Sequence, residues 1–265
     1  MNFDATMWSI IAPALVVSLL VAMTHVPLGQ EVLKRGIIFI DLATAQIAGL
    51  GAVAMTIYLP DPHSMSGFIW VNFAAFSAAL LSGLFFSWAE RNLKNRQEAL
   101  IGCSFVLAAS LAILILANQP MGGDEIKDLL AGQILWVTWS KIAMVALIYI
   151  PLLLIWFGMR EKLGHAGFYM IFAIAVTTSV QIVGVYLVFA FLIFPTLGAS
   201  SLSKSKRLVA AYSLAFMGIF LGLILSVITD WPTGPTLVWT LALIALTGAI
   251  CLPKIVERKN AVKVN

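Results

Sequence analysis

Long apolar runs recur along the whole of this 265-residue chain, and they restrict its fold more than any other feature. Each run extends over about 17 to 23 residues, enough for an α-helix to cross a hydrocarbon layer about 30 Å thick. With 61% hydrophobic and 11% charged residues, the chain has more apolar surface than a soluble core can bury. The pattern predicts an all-α, polytopic membrane protein. It excludes a soluble enzyme, a nucleic-acid-binding protein and a disordered chain.

Basic residues cluster between the apolar runs and indicate which loops face the cytoplasm. Most of the sixteen Lys and Arg residues fall in five clusters, at residues 34–35, 91–96, 160–162, 204–207 and 254–263. Basic loops stay on the cytoplasmic side of a bacterial inner membrane. We therefore predict that the N-terminus lies outside and the C-terminus inside the cell.

The spacing of the runs predicts a helical bundle with eight or nine crossings, forming one transmembrane domain over residues 1–265. The chain has to leave the cytoplasm and return to it within residues 167–200. This segment is too short for two full spans and a loop. A broken or re-entrant helix pair near residues 181–195 is therefore expected. The other predicted spans lie at about residues 8–24, 37–59, 68–89, 99–117, 139–158, 208–229 and 236–253.

Asp41 is the strongest candidate for chemistry, because an acidic side chain inside a membrane span is costly and typical of function. Thr44 follows three residues later on the same helical face, and Gln46 adds another polar side chain. This pattern predicts a helix that lines a transport path. The alternative is an interfacial carboxylate that pairs with the basic residues 34–35 at the end of the preceding run.

The segment from Gln181 to Pro195 is the sharpest local feature of the chain. A glutamine and Gly184 interrupt an apolar run, and Pro195 is expected to end it. Broken helices at membrane depth expose backbone groups that are tolerated where they line a cavity, so Gln181 is a candidate path-lining residue. A proline-kinked buried helix is the alternative. Asp230 begins a rigid outer turn, residues 230–235, that is rich in Pro and Gly.

Residues 118–140 form the longest loop that is predicted to lie outside. Within it, residues 124–130 alternate acidic and apolar side chains and have the composition of an amphipathic turn on the membrane surface. A solvated connection explains the same composition equally well.

No catalytic motif is visible in the sequence. The chain has no HExxH motif, no GxSxG motif and no glycine-rich phosphate loop, so we expect neither an ATP site nor a bound cofactor in this chain. No nucleophile–base pair stands at usable spacing, and an enzyme is the least favoured class.

Several segments together resemble the permease subunits of zinc and manganese ABC importers, the ABC-3 family. The matches keep the order that they have in the family and extend over about residues 25–240. They comprise Pro27-Leu28-Gly29 with Lys34-Arg35 and Asp41, Gln97 to Gly102, Leu130 to Leu135 with Val137-Thr138, Gln181 to Gly184 with Leu192 to Pro195, and Asp230 to Thr236.

The resemblance implies a transmembrane permease of the type II ABC importer kind that moves a divalent transition metal, zinc or manganese, as its substrate. It also implies two cytoplasmic ATPase subunits, an extracytoplasmic metal-binding protein and a homodimer of the permease. Asp41 takes the position of the family's path aspartate, with Gln46 as a second metal contact and Thr44, Gln181 and Asp230 lining the path. The connection to the ATPase is implied for the short basic segment that contains Arg160, Glu161, Lys162 and His165.

Two positions depart from the family pattern. The family has a histidine four residues after the aspartate, where this chain has Ala45 with Gln46 beside it. An amide oxygen is a harder and weaker ligand than imidazole. The connection from Gly158 to Gly167 is also shorter than the family's docking segment. Two alternatives follow: a proton-coupled secondary carrier with Asp41 as its switch, or a non-transporting scaffold or sensor that kept the fold.

Overall fold

The computed structural model describes residues 5–59, 64–117, 119, 122–159 and 162–264, with side chains within these ranges from residue 11 to residue 252 apart from residues 65, 94, 124, 125 and 128. Those ranges contain ten α-helices and no strand, which confirms the all-α prediction. The helices are α1 (Ala5–Arg35), α2 (Ile40–Tyr58), α3 (Met65–Asn92), α4 (Gln97–Leu116), α5 (Gly122–Ala131), α6 (Trp139–Met159), α7 (Gly164–Val183), α8 (Val185–Gly198), α9 (Lys204–Thr229) and α10 (Thr233–Val264).

Eight of the described helices are long and apolar enough to cross a membrane, namely all but α5 and α8. Helix α8 is apolar but has only 14 residues. The eight long helices and the one short helix match the prediction of eight or nine crossings. The chain divides into two compact units, the first formed by residues 1–35, 133–146 and 186–265 and the second by residues 36–132 and 147–185.

In the first unit, α1 packs on α9, and α9 packs along α10. Small residues allow the close approach of α9 and α10, because Gly218 and Gly222 lie directly against Leu241 and Leu237. The Thr240 hydroxyl donates a hydrogen bond of 3.0 Å to the carbonyl of Gly218 across the same interface. Helix α1 is a single helix through Arg35, so the first predicted run does not end near residue 24.

In the second unit, α2 packs against α3, α4 and α7. A cluster of small side chains, Ala48, Ala79 and Ala173, joins α2, α3 and α7. Gly51 lies against Ala74 of α3, where a larger residue would keep the two helices apart. The second unit is therefore a tightly packed group of helices around α2, the helix that carries Asp41.

The predicted break near residue 184 is present and consists of one residue. Helix α7 ends at Val183, Gly184 has a φ of 80°, and α8 begins at Val185. Gly132, with a φ of 68°, follows α5 and contacts this break, so that a Cβ on either glycine would collide with the other segment's backbone. Only glycine fits both the backbone conformation and the contact at these positions.

Pro195 does not end the apolar helix as the sequence suggested. Helix α8 continues through it to Gly198, and the carbonyl of Pro195 accepts a hydrogen bond of 3.1 Å from the amide of Ala199. Proline removes only its own donor, and its carbonyl can still accept, so a position in the last turns of a helix is tolerated.

Helix α5 includes residues 124–130, for which an amphipathic turn was one of two equally supported interpretations of the sequence. Leu129 packs against Gly49 in the middle of α2, where a Cβ on the glycine would lie 2.9 Å from a Leu129 methyl carbon. At least this side chain of α5 therefore contacts the second unit's helices and does not only face a membrane surface or solvent.

Candidate functional site

Asp41 is the second residue of α2, and its side chain is almost completely buried, with 1% of its surface exposed. Among the residues that the structure describes, neither of its carboxylate oxygens makes a hydrogen bond of full geometry, although the backbone amides of residues 41 and 42 in its own turn lie nearby. Buried polar groups are nearly always satisfied, and an unsatisfied one calls for an explanation. A carboxylate at the start of a helix is favoured by the helix dipole, which explains how this position tolerates it.

The first half of α2 is buried on all of its faces. Thr44 and Gln46, the two other candidate path residues of this helix, are 1% and 4% exposed. Ala45, which stands four residues after Asp41, is also buried. Asp41, Thr44 and Gln46 therefore form a polar stretch within a packed helix. Its one carboxylate and one amide are oxygen donors that suit hard divalent cations.

The basic residues that precede α2 have their own partner within α1. Glu31 lies 3.1 Å from the Nε of Arg35 and 3.5 Å from the Nζ of Lys34. The interfacial ion pair that the sequence suggested for Asp41 is therefore made by Glu31. The sequence offered a signal for this, because Glu31 stands three and four residues before the two bases.

Glu98 of α4 holds the start of α2. One oxygen of its carboxylate accepts from the backbone amides of Ile38 and Phe39, the two residues immediately before α2, whereas its Oε2 has no partner among the described residues. Amides at and just before the N-cap have no partner within the helix, so a carboxylate from a neighbouring element stabilises the turn from which α2 begins. Glu98 itself lies in the first turn of its own helix, α4. Only the tertiary contact shows that it caps α2.

Gln97, the neighbour of Glu98, joins α4 to α7. Its side-chain amide donates a hydrogen bond of 2.5 Å to the hydroxyl of Tyr169, and both side chains are buried. These residues are 72 positions apart in the chain. No local pattern in the sequence indicates this contact.

His165, one of the residues implied in ATPase contact, lies near the start of α7. Its Nδ1 is 2.6 Å from a carboxylate oxygen of Glu90 near the end of α3. Lys162 is exposed in the connection before α7. The other two residues of that prediction, Arg160 and Glu161, lie outside the described residues.

The remaining predicted path residues are both exposed in the single chain. Gln181 lies in the last turn of α7 in the second unit, and Asp230 ends α9 in the first unit with a left-handed backbone conformation, φ 57°. Within the described residues, no group of three or more His, Cys, Asp or Glu side chains is arranged to hold a metal ion. The role of Gln181 and Asp230 in a transport path stays a prediction.

The family comparison decides what kind of protein this is. A model of the "ABC 3 transport family" matches residues 7–164 and 156–252, which together include nearly the whole chain. The chain belongs to this family. The family-level prediction is confirmed.

Individual relatives of the ABC 3 transport family agree with this assignment. The chain is 27% identical to a "Probable iron transport system membrane protein" of Haemophilus influenzae, over 71% of this chain and 75% of the relative. It is 24% identical to the "Manganese transport system membrane protein MntC" of Listeria monocytogenes, over 93% of this chain and 92% of the relative. It is 25% identical to the "Manganese import system permease protein ScaB" of Streptococcus parasanguinis, over 74% and 78%.

A solved structure shares the fold. The structure of PsaBC from Streptococcus pneumoniae in complex with Fab matches with a TM-score of 0.66 and 18% identity. The match includes 90% of this chain and 90% of the other chain. At this level of identity the likeness supports the helical architecture of an ABC 3 transport family member.

Proposed function

We propose that this chain is the transmembrane permease subunit of an ATP-binding cassette importer for a divalent transition metal, zinc or manganese. The whole chain, residues 1–265, serves as the permease domain in a bacterial inner membrane. The chain forms the translocation path and does not hydrolyse ATP itself. Membership of the ABC 3 transport family and relatives named for metal transport support this proposal.

One observation in the structure carries the proposal. Asp41 is a buried acid, at 1% exposure, whose carboxylate oxygens have no partner among the described residues. An unsatisfied acid inside a span is costly and is expected to serve a cation or proton that passes. Gln46 on the same helix adds an amide oxygen, and Thr44 a hydroxyl.

The proposed partners follow from the family and from the sequence pattern. Two cytoplasmic ATPase subunits supply energy and contact the connection before α7, which includes Lys162, and the first turn of α7, which includes His165. An extracytoplasmic metal-binding protein delivers the ion, and two copies of the permease form a homodimer. The N-terminus lies outside and the C-terminus in the cytoplasm.

Cellular metal content tests the proposal. A deletion strain grown with a chelator is complemented with the wild type, Asp41→Ala or the control Thr178→Val, and zinc, manganese and iron are measured by mass spectrometry. Thr178 donates to the carbonyl of Ile174 in its own helix, so its substitution leaves Asp41 intact. We expect deletion to lower zinc or manganese, and the wild type and Thr178→Val, but not Asp41→Ala, to restore it.

Other outcomes would identify the alternatives. Uptake that persists without the ATPase and collapses with the proton gradient would indicate a secondary carrier. Unchanged metal content would indicate a scaffold or sensor, an interpretation that the alanine at position 45 and the short connection from Gly158 to Gly167 favour. Restoration of metal content by Asp41→Ala would show that Asp41 does not contribute to the path, while the proposed transport function would still hold.

A further inference from the structure

Three polar contacts tie four helices together at one end of the second unit. Glu98 of α4 caps the start of α2, Gln97 of α4 binds Tyr169 of α7, and His165 of α7 pairs with Glu90 of α3. This end of the unit carries the basic clusters at residues 91–96 and 160–162, and it is the end predicted to face the cytoplasm. None of these contacts involves Asp41 directly, yet they surround the turn from which α2 begins.

The contacts form a continuous chain of groups. His165 is the second residue of α7, and Tyr169 lies one helical turn further along the same helix. Tyr169 accepts from the amide of Gln97, and Gln97 is adjacent in sequence to Glu98. Glu98 accepts from the amides of Ile38 and Phe39, which lie two and three residues before Asp41 in the sequence.

Burial makes the central contact rigid. Gln97 is 5% exposed and Tyr169 is 1% exposed, and such a buried donor is costly to leave without its acceptor. Tyr169 also packs edge-on against Phe168, with ring centroids 5.2 Å apart. A displacement of the first turns of α7 therefore cannot leave Gln97 in place without breaking this hydrogen bond.

We propose that Tyr169, Gln97 and Glu98 form a polar relay that couples the connection before α7 to the position of Asp41. The inference rests on the proposed function, in which that connection contacts the ATPase and Asp41 contacts the ion. The three residues are positioning residues. They act through the start of α2 and contact no substrate. When α7 moves, the relay moves the capped turn at residues 38–39 and, with it, the Asp41 carboxylate.

A matched pair of tyrosine variants separates the relay from general packing. Tyr169→Phe removes the hydroxyl that accepts from Gln97. Tyr149→Phe removes a buried hydroxyl that donates 2.9 Å to the carbonyl of Ala175, between α6 and α7 of the same unit. Both changes remove a buried hydroxyl that makes tertiary hydrogen bonds within the second unit, that of Tyr149 with Ala175 and Ser179, but only the first lies in the relay.

The first readout is uptake of radioactive manganese or zinc by the deletion strain that carries each variant in the full chain, at equal membrane abundance. We expect Tyr169→Phe to lower Vmax by about tenfold with KM within about twofold, because positioning during turnover is lost and the ion-binding groups remain. Tyr149→Phe keeps both constants. If the two variants behave alike, the relay is wrong.

The Glu98 variants provide a second test that does not depend on Tyr169. Glu98→Gln keeps an acceptor oxygen for the amides of residues 38 and 39, whereas Glu98→Ala removes it. We expect Glu98→Gln to retain at least about a third of wild-type Vmax and Glu98→Ala to lose about tenfold. Equal losses in both variants would contradict the capping role.

A third readout does not depend on transport. Leu42→Cys places a thiol beside Asp41 at a half-buried position, in a background where the exposed Cys103 and Cys251 are replaced by serine. We expect Tyr169→Phe to change the labelling rate of this thiol by a small membrane-permeant maleimide by about threefold or more, and Tyr149→Phe to leave the rate unchanged. A change in labelling without metal uptake by the wild type would support the relay and reject the proposed cargo. Metal uptake with no change in labelling would reject the relay alone.

Discussion

At the scale of single residues, Asp41 and Glu31 are two buried acids with opposite environments. Glu31 is 6% exposed and pairs with Lys34 and Arg35, whereas the oxygens of Asp41 have no partner among the described residues. Removing one partner of a buried pair is destabilising, while neutralising an uncompensated buried acid is not. Neutralising Asp41 should therefore lower activity without lowering stability, whereas neutralising Glu31 should lower stability.

We predict that Asp41→Asn abolishes metal uptake without lowering the stability of the purified protein. Neutralising this side chain should leave the free energy of unfolding unchanged or raise it by up to about 2 kcal/mol. Glu31→Gln is the control and should lower it by roughly 1–3 kcal/mol. Thermal unfolding in detergent measures both. A lower Tm for Asp41→Asn than for Glu31→Gln would mean that Asp41 is a structural residue.

Position 46 determines metal preference if Gln46 contacts the ion. Gln46→His replaces an amide oxygen by an imidazole of similar volume, and imidazole suits zinc. We expect the ratio of zinc uptake to manganese uptake to rise by about threefold to tenfold, which corresponds to roughly 1 kcal/mol. Competition between the two ions in whole cells measures the ratio. An unchanged ratio in a variant that still transports would exclude Gln46 as a ligand.

At the scale of secondary-structure elements, the contact between the end of α5 and the break between α7 and α8 fixes the second unit. Gly132 and Gly184 both have positive φ angles, and each lies against the backbone of the other segment. A side chain at either position meets both a strained backbone and a collision with backbone atoms. Flexible side chains can move away from a collision, but backbone atoms held in two helices cannot.

We predict that Gly132→Ala and Gly184→Ala each lower the free energy of unfolding by roughly 1–3 kcal/mol. Gly102→Ala is the matched control, because Gly102 lies within α4 and a Cβ there has no neighbour within 4 Å. That substitution should raise stability by up to about 1 kcal/mol, since alanine is the better helix former. Thermal melts in detergent compare the three variants. A control variant that is as unstable as the other two would refute the structural role of the contact between Gly132 and Gly184.

At the scale of the whole molecule, the topology depends on whether the short helix α8 crosses the membrane. Eight crossings would place both termini on the same side, whereas the charge pattern places them on opposite sides. Helix α8 has 14 residues. At 1.5 Å per residue it is about 21 Å long, which is less than a hydrocarbon core of about 30 Å. The charge pattern therefore requires the α7–α8 pair to return the chain to the cytoplasm over a shortened distance.

Reporter fusions decide this point. We predict that green fluorescent protein fused after residue 203 or after residue 264 is fluorescent, and that alkaline phosphatase at the same sites is inactive, because the charge pattern predicts that both sites are cytoplasmic. Fusions at the turn at residues 230–232 should give the opposite result. An active phosphatase after residue 203 would show that α8 does not return the chain to the cytoplasm. The predicted orientation of α9, α10 and the C-terminus would then be inverted.

The sequence predicted the helices well, because their signal is local. Apolar runs long enough to span a membrane leave little choice of structure, since every backbone group in lipid needs an internal partner. The break at Gly184 was also predicted, from a glycine and a glutamine within an apolar run. The prediction that Pro195 ends its helix was wrong, because a proline near the end of a helix removes one donor and need not stop the helix.

The candidate site was predictable only in part. Asp41 was found because an acid within a span is rare, and the structure adds that its oxygens are unpartnered among the described residues. Glu98 and Gln97 were visible only as polar residues at the start of α4. Their partners, Ile38, Phe39 and Tyr169, are distant in sequence or are backbone groups, which no residue pattern distinguishes.

The sequence by itself determined that this protein is a polytopic helical membrane protein, which family it resembles and which acid to examine first. These conclusions depend on the hydrophobicity and charge of consecutive residues, and the cost of placing a polar group in lipid acts on each segment separately. The tertiary structure decided which groups satisfy one another: Glu31 with the bases of α1, Glu98 with the start of α2, and Gln97 with Tyr169. Such pairing depends on distances of about 3 Å between atoms of different helices, and packing sets those distances.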